Sequence, residues 1–320
     1  MSLHSFCIPP RSRQDKLAGG LIGLLIGDAL GVPYEFHDAQ DIPPSDQINF
    51  DPPVDFDRAH KSILPATWSD DGAQALCLLA SLLEKKQLDL QDFANRLRNW
   101  YNVGYMAVDY HVFDIGITTG QAIAKLNKGV PPELAGEDTQ HSNGNGSLMR
   151  VLPLAIWHTR DDAQLIQDAH RQSCVTHRHL RSQICCALYC LFAKRILQED
   201  STPWESAVST LRAHYRSNEE ALAELEFHIR PDEPIPPQGS GYVVDSLRAA
   251  KEAFTHQSNY QDVVRWAIAL GKDTDTTACI VGGIIGLRDG FSNIPENWRA
   301  QLRGQDLYYP LLGQLLNIRS

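Results

Sequence analysis

The chain has 320 residues, of which 43% are hydrophobic and 21% charged, a composition typical of folded proteins and unlike that of disordered or collagen-like chains. Its 29 basic and 39 acidic residues give a net charge of −10, which argues against binding nucleic acid or anionic membranes mainly by charge. This acidic balance suits a protein that collects cations through clustered carboxylates.

The apolar runs argue against a membrane as a partner, and the cysteines favour a cytoplasmic location. With the net charge above, neither membrane nor nucleic acid is an expected partner. The longest uncharged apolar runs, residues 17–27 and 278–287, fall short of the roughly 20 residues that cross a bilayer. Basic residues precede the first run, as in a secretory signal, but the run is rich in glycine and leads directly into Asp28. The seven cysteines show no metal-binding or redox spacing, which indicates buried thiols in a reducing compartment.

Glycines recur every four residues along the first predicted helix, at Gly19, Gly23, Gly27 and Gly31. Each glycine inside a helix costs roughly 1 kcal/mol relative to alanine, so the stripe needs a reason. The favoured reason is the close approach of another helix backbone, which would also place Asp28 and Glu35 deep in a site. Pro33 is expected to end this helix near Val32 and leave Glu35 in the following loop.

Apolar residues at helical spacing predict further helices over residues 73–83, 88–101, 115–126, 163–172, 180–197, 204–215, 244–254 and 277–287. Pro-rich residues 42–65 and 229–241 are predicted loops. No series of alternating strands and no 20–50-residue repeat occurs, although short strands stay open. We therefore expect an all-α fold, a single compact multi-helix domain over residues 1–320, with residues 1–15 as an N-terminal extension.

Two short segments combine two carboxylates with a hydroxyl where a helix is predicted to start. They are residues 69–72, Ser-Asp-Asp-Gly, and residues 273–276, Asp-Thr-Asp-Thr. Each alone is typical of a helix cap. Two such helix starts facing each other would, however, bring like charges so close that cations are needed among them. Because oxygen ligands favour Mg²⁺, Mn²⁺ or Ca²⁺ over zinc, the pair predicts a two-metal site.

Residues 143–147, Asn-Gly-Asn-Gly-Ser, allow two interpretations. Two Asn-Gly pairs are an ordinary turn signal. A glycine-rich loop can also cradle a phosphate at a helix N-terminus, although this one lacks the lysine of nucleotide-triphosphatase loops.

Further motifs follow in order along the chain. The series comprises GLLIGDALG at residues 23–31 with Glu35, WSDD at 68–71, DIG at 114–116, GNGSLMR at 144–150, TH at 176–177, SGYVVDSL at 240–247 and GKDTDT at 271–276. This ordered series resembles the ADP-ribosylglycohydrolase family, which includes the dinitrogenase reductase-activating glycohydrolase. The resemblance runs from about residue 16 to residue 290.

The resemblance implies a compact all-α fold with a binuclear magnesium or manganese centre in a cleft. It implies metal ligands at Ser69, Asp70, Asp71, Asp273, Asp275 and Thr276. It implies catalytic roles for Glu35, Asp71 and Asp273. It implies substrate contacts at Asp28, Asp114, Gly144, Asn145, Gly146, Ser147, Met149 and His177. Residues 144–147 would hold the diphosphate, and Asp114 would lie near the distal ribose or the metals. A lone histidine after threonine, such as His177, is more often a structural histidine.

The activity implied by the resemblance is metal-dependent hydrolysis of the bond between ADP-ribose and a modified protein side chain, arginine being favoured. The metals would orient the ribose and activate water, while Glu35 would handle a proton, more naturally as a base than as an acid. Ser69 and Gly72 stand where the family usually has threonine. Ser69 keeps the hydroxyl, whereas Gly72 removes a side chain and is expected to loosen the site or alter its metal preference.

Two alternatives stay open. Residues 273–277 read D-x-D-x-T, as in phosphotransferases of the haloacid dehalogenase type, where the motif ends a strand of a parallel sheet. Alternatively, the protein binds and neutralises an ADP-ribosyltransferase or toxin, with the segment before Lys16 and residues 42–65 as candidate contacts. Both alternatives are less favoured than hydrolysis of an ADP-ribosylated protein.

Overall fold

A computed structural model describes residues 8–318 of the chain. These residues form fifteen α-helices, with short 3-10 turns between some of them, and no β-strand forms among them. The helices are α1 (Arg13–Gly31), α2 (Asp70–Lys85), α3 (Leu90–Val103), α4 (Ile117–Asn127), α5 (Pro132–Ala135), α6 (Leu152–Trp157), α7 (Asp162–Cys174), α8 (Leu180–Leu197), α9 (Pro203–Tyr215), α10 (Glu219–Ala223), α11 (Val243–Thr255), α12 (Tyr260–Ile268), α13 (Thr274–Asp289), α14 (Glu296–Gln301) and α15 (Gln305–Ile318). The predicted all-α fold is confirmed.

Helices α1 and α13 lie antiparallel in the core with their backbones in direct contact. A Cβ atom on Gly19 would lie 2.2 Å from the carbonyl oxygen of Gly286, and one on Gly27 would lie 2.0 Å from that of Ala278. Real Cβ atoms do not come this close to a backbone oxygen, so a side chain at either glycine would push the helices apart. The close approach predicted from the glycine stripe is confirmed. On α13, the small residues Ala278, Gly282 and Gly286 face the stripe at the same four-residue spacing.

The end of α1 is fixed against the start of α13. Helix α1 ends at Gly31, as Pro33 predicts, and the 3-10 turn Val32–Tyr34 leads into Glu35. The Thr274 hydroxyl donates a hydrogen bond to the Gly31 carbonyl oxygen at 2.8 Å. The residues around Glu35 are thereby brought to the first turn of α13.

The long helices match the predicted stripes, whereas several other helices escaped prediction. Helices α5, α6, α10 and α14 have four to six residues, too few to show a period, and α15 contains Pro310. Helix α13 begins at Thr274, earlier than predicted, with Asp273 as its N-cap residue. The phosphotransferase alternative is therefore wrong, because Asp273 begins a helix and does not end a strand.

By length and hydropathy alone, Arg13–Tyr34 is a candidate membrane span, but its apolar window is entirely buried inside the fold. The segment contains the core helix α1. The six cysteines in residues 8–318 are free thiols, five of them buried. Cys7 lies outside the described residues, as do residues 1–7 of the expected extension. The division into one domain with residues 1–15 as an extension stays a prediction, as does the cytoplasmic location.

Candidate active site

The two acidic segments meet at the N-terminal ends of α2 and α13. Ser69 is the N-cap residue of α2, and its Oγ accepts a hydrogen bond from the backbone N–H of Asp71 at 3.3 Å. Asp273 caps α13 without a side-chain cap bond. The Thr276 hydroxyl lies 3.4 Å from Asp71 Oδ1 and joins the two helix starts. The fold therefore brings the two acidic segments together. Helix capping explains only some of their polar side chains.

Two buried carboxylate oxygens at this junction, Asp71 Oδ2 and Asp275 Oδ2, have no hydrogen-bond partner within residues 8–318. Carboxylate oxygens of Asp28, Asp71 and Asp275 lie within 4.8 Å of one another, and so do those of Glu35, Asp273 and Asp275. A buried unpaired carboxylate oxygen is unfavourable unless a cation or a donor meets it. The residues present therefore fit hard divalent cations such as Mg²⁺, Mn²⁺ or Ca²⁺.

Burial raises the pKa of each carboxylic acid at the junction above its ordinary value. The set comprises Asp28, Glu35, Asp70, Asp71, Asp114, Asp273 and Asp275. The pKa of Asp28 and that of Glu35 each rise to about 7, and neighbouring carboxylates add to the effect of burial on the pKa of Asp71. Bound cations lower the pKa of nearby carboxylic acids and keep them ionised. This concentration of acids therefore favours positively charged ligands.

Asp28 anchors the start of α2 from the neighbouring helix α1. Its Oδ1 accepts a hydrogen bond from the Ser69 N–H at 2.8 Å, and its Oδ2 accepts one from the Gly72 N–H at 2.7 Å. Both oxygens therefore face backbone groups. Asp28 therefore lies beneath the two acidic segments, and the substrate contact implied by the resemblance stays a prediction.

Gly72 leaves no gap in the site. A Cβ atom there would lie 2.8 Å from both Leu25 Cδ2 and Trp68 Cγ. The space that a threonine side chain would occupy is thus filled by Trp68 and Leu25. The structure accordingly gives no reason for the expected loosening of the site.

A cleft with a volume of about 310 Å³ opens over the acidic junction. The predicted site residues that line it are Glu35, Asp70, Asp114, Gly144, Asn145, Gly146, Met149, His177, Asp273 and Thr276. Five others lie behind this wall: Asp28, Ser69, Asp71, Ser147 and Asp275. Gly116 and the first turn of α4, which begins at Ile117, also line the cleft.

Residues 143–147 form a turn beside Asp273. The next helix, α6, begins at Leu152, so this loop does not lead directly into a helix N-terminus. Asn145 Nδ2 donates a hydrogen bond to Asp273 Oδ2 at 2.8 Å, and the Asn145 N–H donates to the Gly241 carbonyl oxygen. The loop therefore orients a carboxylate of the junction as well as lining the cleft.

His177 and Ser147 are held by the protein itself. His177 Nδ1 lies 2.8 Å from the Thr176 hydroxyl, and burial lowers the pKa of His177 to about 3, so the imidazole is neutral at pH 7. A Cβ atom on Gly146 would come within 2.8 Å of this ring, so the glycine makes room for it. Ser147 Oγ is buried 2.8 Å from Ser173 Oγ. The Ser147 hydroxyl therefore lies in the protein interior, whereas His177 is hydrogen-bonded and also lines the cleft.

His60 is a site residue that the sequence did not reveal. Its Nε2 lies 2.6 Å from Glu35 Oε2 and 4.0 Å from Asp114 Oδ1. The hydrogen bond to Glu35 raises the pKa of His60. The imidazole packs against the rings of Phe36 and Phe113, with centroids 5.6 and 5.1 Å away. A lone histidine in an irregular, Pro-rich segment carries no spacing signal that could have identified it.

A buried chain of hydrogen bonds behind Asp70 also escaped prediction. Gln74 Nε2 donates to Asp70 Oδ2 at 2.8 Å, and Arg150 Nη1 donates to Gln74 Oε1 at 2.8 Å. Arg150 is fully buried, which lowers its pKa to about 10, and it also donates to the Gln172 carbonyl oxygen. The i, i+4 spacing of Asp70 and Gln74 on α2 is a signal that could have suggested the first contact.

Comparisons with known proteins agree with this geometry. A family model described as ADP-ribosylglycohydrolase matches residues 9–319. The chain is 30% identical to ADP-ribosylarginine hydrolase Tri1 of Serratia proteamaculans (strain 568), over 97% of this chain and 81% of that protein. It is 24% identical to ADP-ribosyl-[dinitrogen reductase] glycohydrolase of Rhodospirillum rubrum, over 91% of each chain. A solved ADP-ribosylglycohydrolase-related protein complex contains a similar chain, with a TM-score of 0.76 and 25% identity, covering 96% of this chain and 99% of that one. The chain therefore belongs to the ADP-ribosylglycohydrolase family of enzymes.

Proposed function

We propose that this protein is a metal-dependent hydrolase that removes ADP-ribose from modified arginine side chains of proteins. The observation that carries the proposal is a pair of buried oxygens, Asp71 Oδ2 and Asp275 Oδ2, that find no hydrogen-bond partner in the described part of the chain and lie beneath an acidic cleft. The similarity to a relative named ADP-ribosylarginine hydrolase supports arginine as the modified residue.

The proposed cofactors are two Mg²⁺ or Mn²⁺ ions. The proposed ligands are Ser69, Asp70, Asp71, Asp273, Asp275 and Thr276. When bound, such ions supply Lewis-acid chemistry, orienting ribose hydroxyls and lowering the pKa of a water molecule. Support comes from the shared oxygen chemistry of the six side chains and from Asp275, which offers carboxylate oxygens within 4.8 Å of those of Asp71 and Asp273.

Hydrolysis adds a hydroxyl to the anomeric carbon of ADP-ribose and breaks the bond from that carbon to a guanidine nitrogen. The water loses a proton, and the leaving nitrogen gains one. Glu35 lies in the cleft wall with Asp114 and Asp273 and is the proposed acceptor of the proton from water. The surrounding carboxylates also suit the positive charge of an oxocarbenium-like transition state. Residues 144–147 are the proposed contacts for the diphosphate, with Asp114 near the distal ribose or the metals.

The experiment that tests this function is release of ADP-ribose from defined conjugates of arginine, serine and nucleic-acid ends. We expect release from the arginine conjugate that depends on Mg²⁺ or Mn²⁺ and is lost in D70A and D273A. The surface variant D46A is the matched control and should retain full activity. Release that persists after chelation of metals, or in D70A, would contradict the proposal. If no conjugate is cleaved but the protein still blocks an ADP-ribosyltransferase, the direct-binding alternative is supported instead.

The role of Glu35 has its own test. The variant E35Q keeps the shape of the side chain but cannot accept a proton, so turnover should fall by about 100-fold or more. Manganese binding, measured by titration calorimetry, should be unchanged. Unchanged turnover of E35Q with intact metal binding would exclude Glu35 as the base.

A further inference from the structure

The backbone around Glu35 is tied to the residue that precedes Asp273. The Phe36 N–H donates a hydrogen bond to the Lys272 carbonyl oxygen at 2.7 Å, and the Lys272 N–H donates to the His37 carbonyl oxygen at 2.5 Å. These bonds fix where the Glu35 backbone lies relative to α13. They leave the direction of the Glu35 carboxylate to be settled by its own contacts.

The carboxylate is held from the opposite side by the irregular segment that contains His60. The Ala59 N–H donates to the Pro33 carbonyl oxygen at 2.9 Å, which attaches this segment to the turn before Glu35. His60 Nε2 then reaches Glu35 Oε2 at 2.6 Å. Glu35 is ionised when it serves as the proposed base, and an ionised carboxylate oxygen only accepts hydrogen bonds, so in that state His60 Nε2–H is the donor.

The orientation of the His60 ring is itself constrained. Its side chain is 15% exposed and packs against Phe36 and Phe113. Both His60 and Phe36 have left-handed backbone conformations, with φ of 49° and 66°. A bulky residue such as Phe36 in this region is strained, and strain of this kind persists where the surrounding structure enforces it, commonly at functional sites.

We propose that His60 is a positioning residue for hydrolysis, whose Nε2–H holds one oxygen of Glu35 and aims the carboxylate into the cleft. The inference rests on the proposed role of Glu35 as the base. Reaction rates are sensitive to such placement, since a displacement of ~1 Å at a reacting group can cost about 100-fold in rate. His60 therefore acts on turnover through Glu35, which lines the cleft, and is not itself among the described residues that line it.

The kinetic test compares H60L, which removes the donor, with H60Q, whose amide keeps one. We expect H60L to lower kcat by about 10- to 100-fold, with KM and the Kd for free ADP-ribose within about twofold of wild type. H60Q should recover most of the lost kcat. H111L removes another histidine that packs on Phe113, at 6.2 Å between centroids, and should match wild type. Equal losses in H60L and H60Q, or a rise in KM without a fall in kcat, would overturn the proposal.

Crystal structures of wild type and H60L separate this inference from the proposed function. We expect the Glu35 carboxylate to leave its position by ~1 Å or more in H60L while the Glu35 backbone stays in place. A carboxylate that keeps its position in H60L would overturn the inference even if the enzyme is active. Absence of ADP-ribose release by the wild type would refute the proposed function, and the crystallographic comparison would still decide whether His60 positions Glu35.

Discussion

The Thr276 hydroxyl on α13 lies 3.4 Å from the Asp71 carboxylate on α2, although the two residues are 205 positions apart in the chain. The acidic junction therefore exists only when these two helices are docked. Helix α1 contacts both of them, through Asp28 at the start of α2 and through Gly31 at the start of α13. The following predictions test how the junction, its supports and the core depend on these contacts.

Replacing Asp71 with asparagine should have opposite effects with and without metal. The folded state raises the pKa of Asp71 well above its ordinary value, because of burial first and then neighbouring carboxylates. The Asp71 carboxyl therefore opposes folding of the metal-free protein at pH 8, because the unfolded chain ionises it freely whereas the buried site disfavours its charge. We expect metal-free D71N to melt at a higher temperature than wild type, whereas Mn²⁺ should stabilise wild type more than D71N. Scanning calorimetry with and without Mn²⁺ measures both effects, with D46N as the control, and a lower melting temperature for metal-free D71N would contradict the prediction.

A methyl group on Gly27 should disrupt the contact between α1 and α13. Its Cβ would lie 2.0 Å from the Ala278 carbonyl oxygen, and overpacking of this kind costs about 1–3 kcal/mol or more. Gly120 in α4 is the matched control, because a Cβ there would make only ordinary contact, at 3.9 Å from Ile115. G120A should stabilise the protein by up to about 1 kcal/mol through helix propensity. Urea unfolding compares them, and equal stabilities of G27A and G120A would be inconsistent with the tight packing.

Loss of the Gln74 amide should weaken metal binding. Gln74 joins Asp70 to the buried Arg150. Removal of a hydrogen bond that supports a metal ligand typically lowers metal affinity by roughly 10- to 100-fold. We expect Q74M to bind Mn²⁺ more weakly by about that factor in titration calorimetry. Q91M, at an exposed glutamine, is the control. An unchanged affinity accompanied by a lower melting temperature would assign Gln74 a purely structural role.

Acid should destabilise the protein partly through His170. Burial lowers the pKa of His170 from 6.5 to about 4, and its Nε2 lies 2.7 Å from the Tyr215 hydroxyl. Between these pH values the unfolded chain binds a proton that the folded protein does not, so this contribution to stability is complete above pH 6.5 and is lost as the pH falls. The loss between pH 7 and pH 5 should be smaller in H170Q by about 1–2 kcal/mol. H141Q, at an exposed histidine, should behave as wild type in the same urea titrations.

The features that could be predicted from sequence are those that show a pattern within a short stretch of the chain. The glycine stripe, the long amphipathic helices and the two acidic segments each show their pattern within a few turns. His60 and Arg150 could not be found in this way, because their partners lie 25 and 76 residues away, at Glu35 and Gln74. Such contacts depend on how loops and helices pack in three dimensions. His60 belongs to no local motif, and the motif that ends at Arg150 gives no sign of its partner. For the same reason, the sequence singled out Asp28 but could not reveal its hydrogen bonds to the backbone at the start of α2.

The pairing of α1 with α13 also has a consequence for synthesis of the protein. Gly31 and Thr274, which join the two helices, are separated by 243 residues, so the apolar α1 leaves the ribosome long before its partner exists. Contacts of such high sequence separation slow folding and leave apolar surface exposed meanwhile. Nascent chains that stop short of α13 should therefore depend on chaperones, and the enzyme should become protease-resistant only near the end of translation.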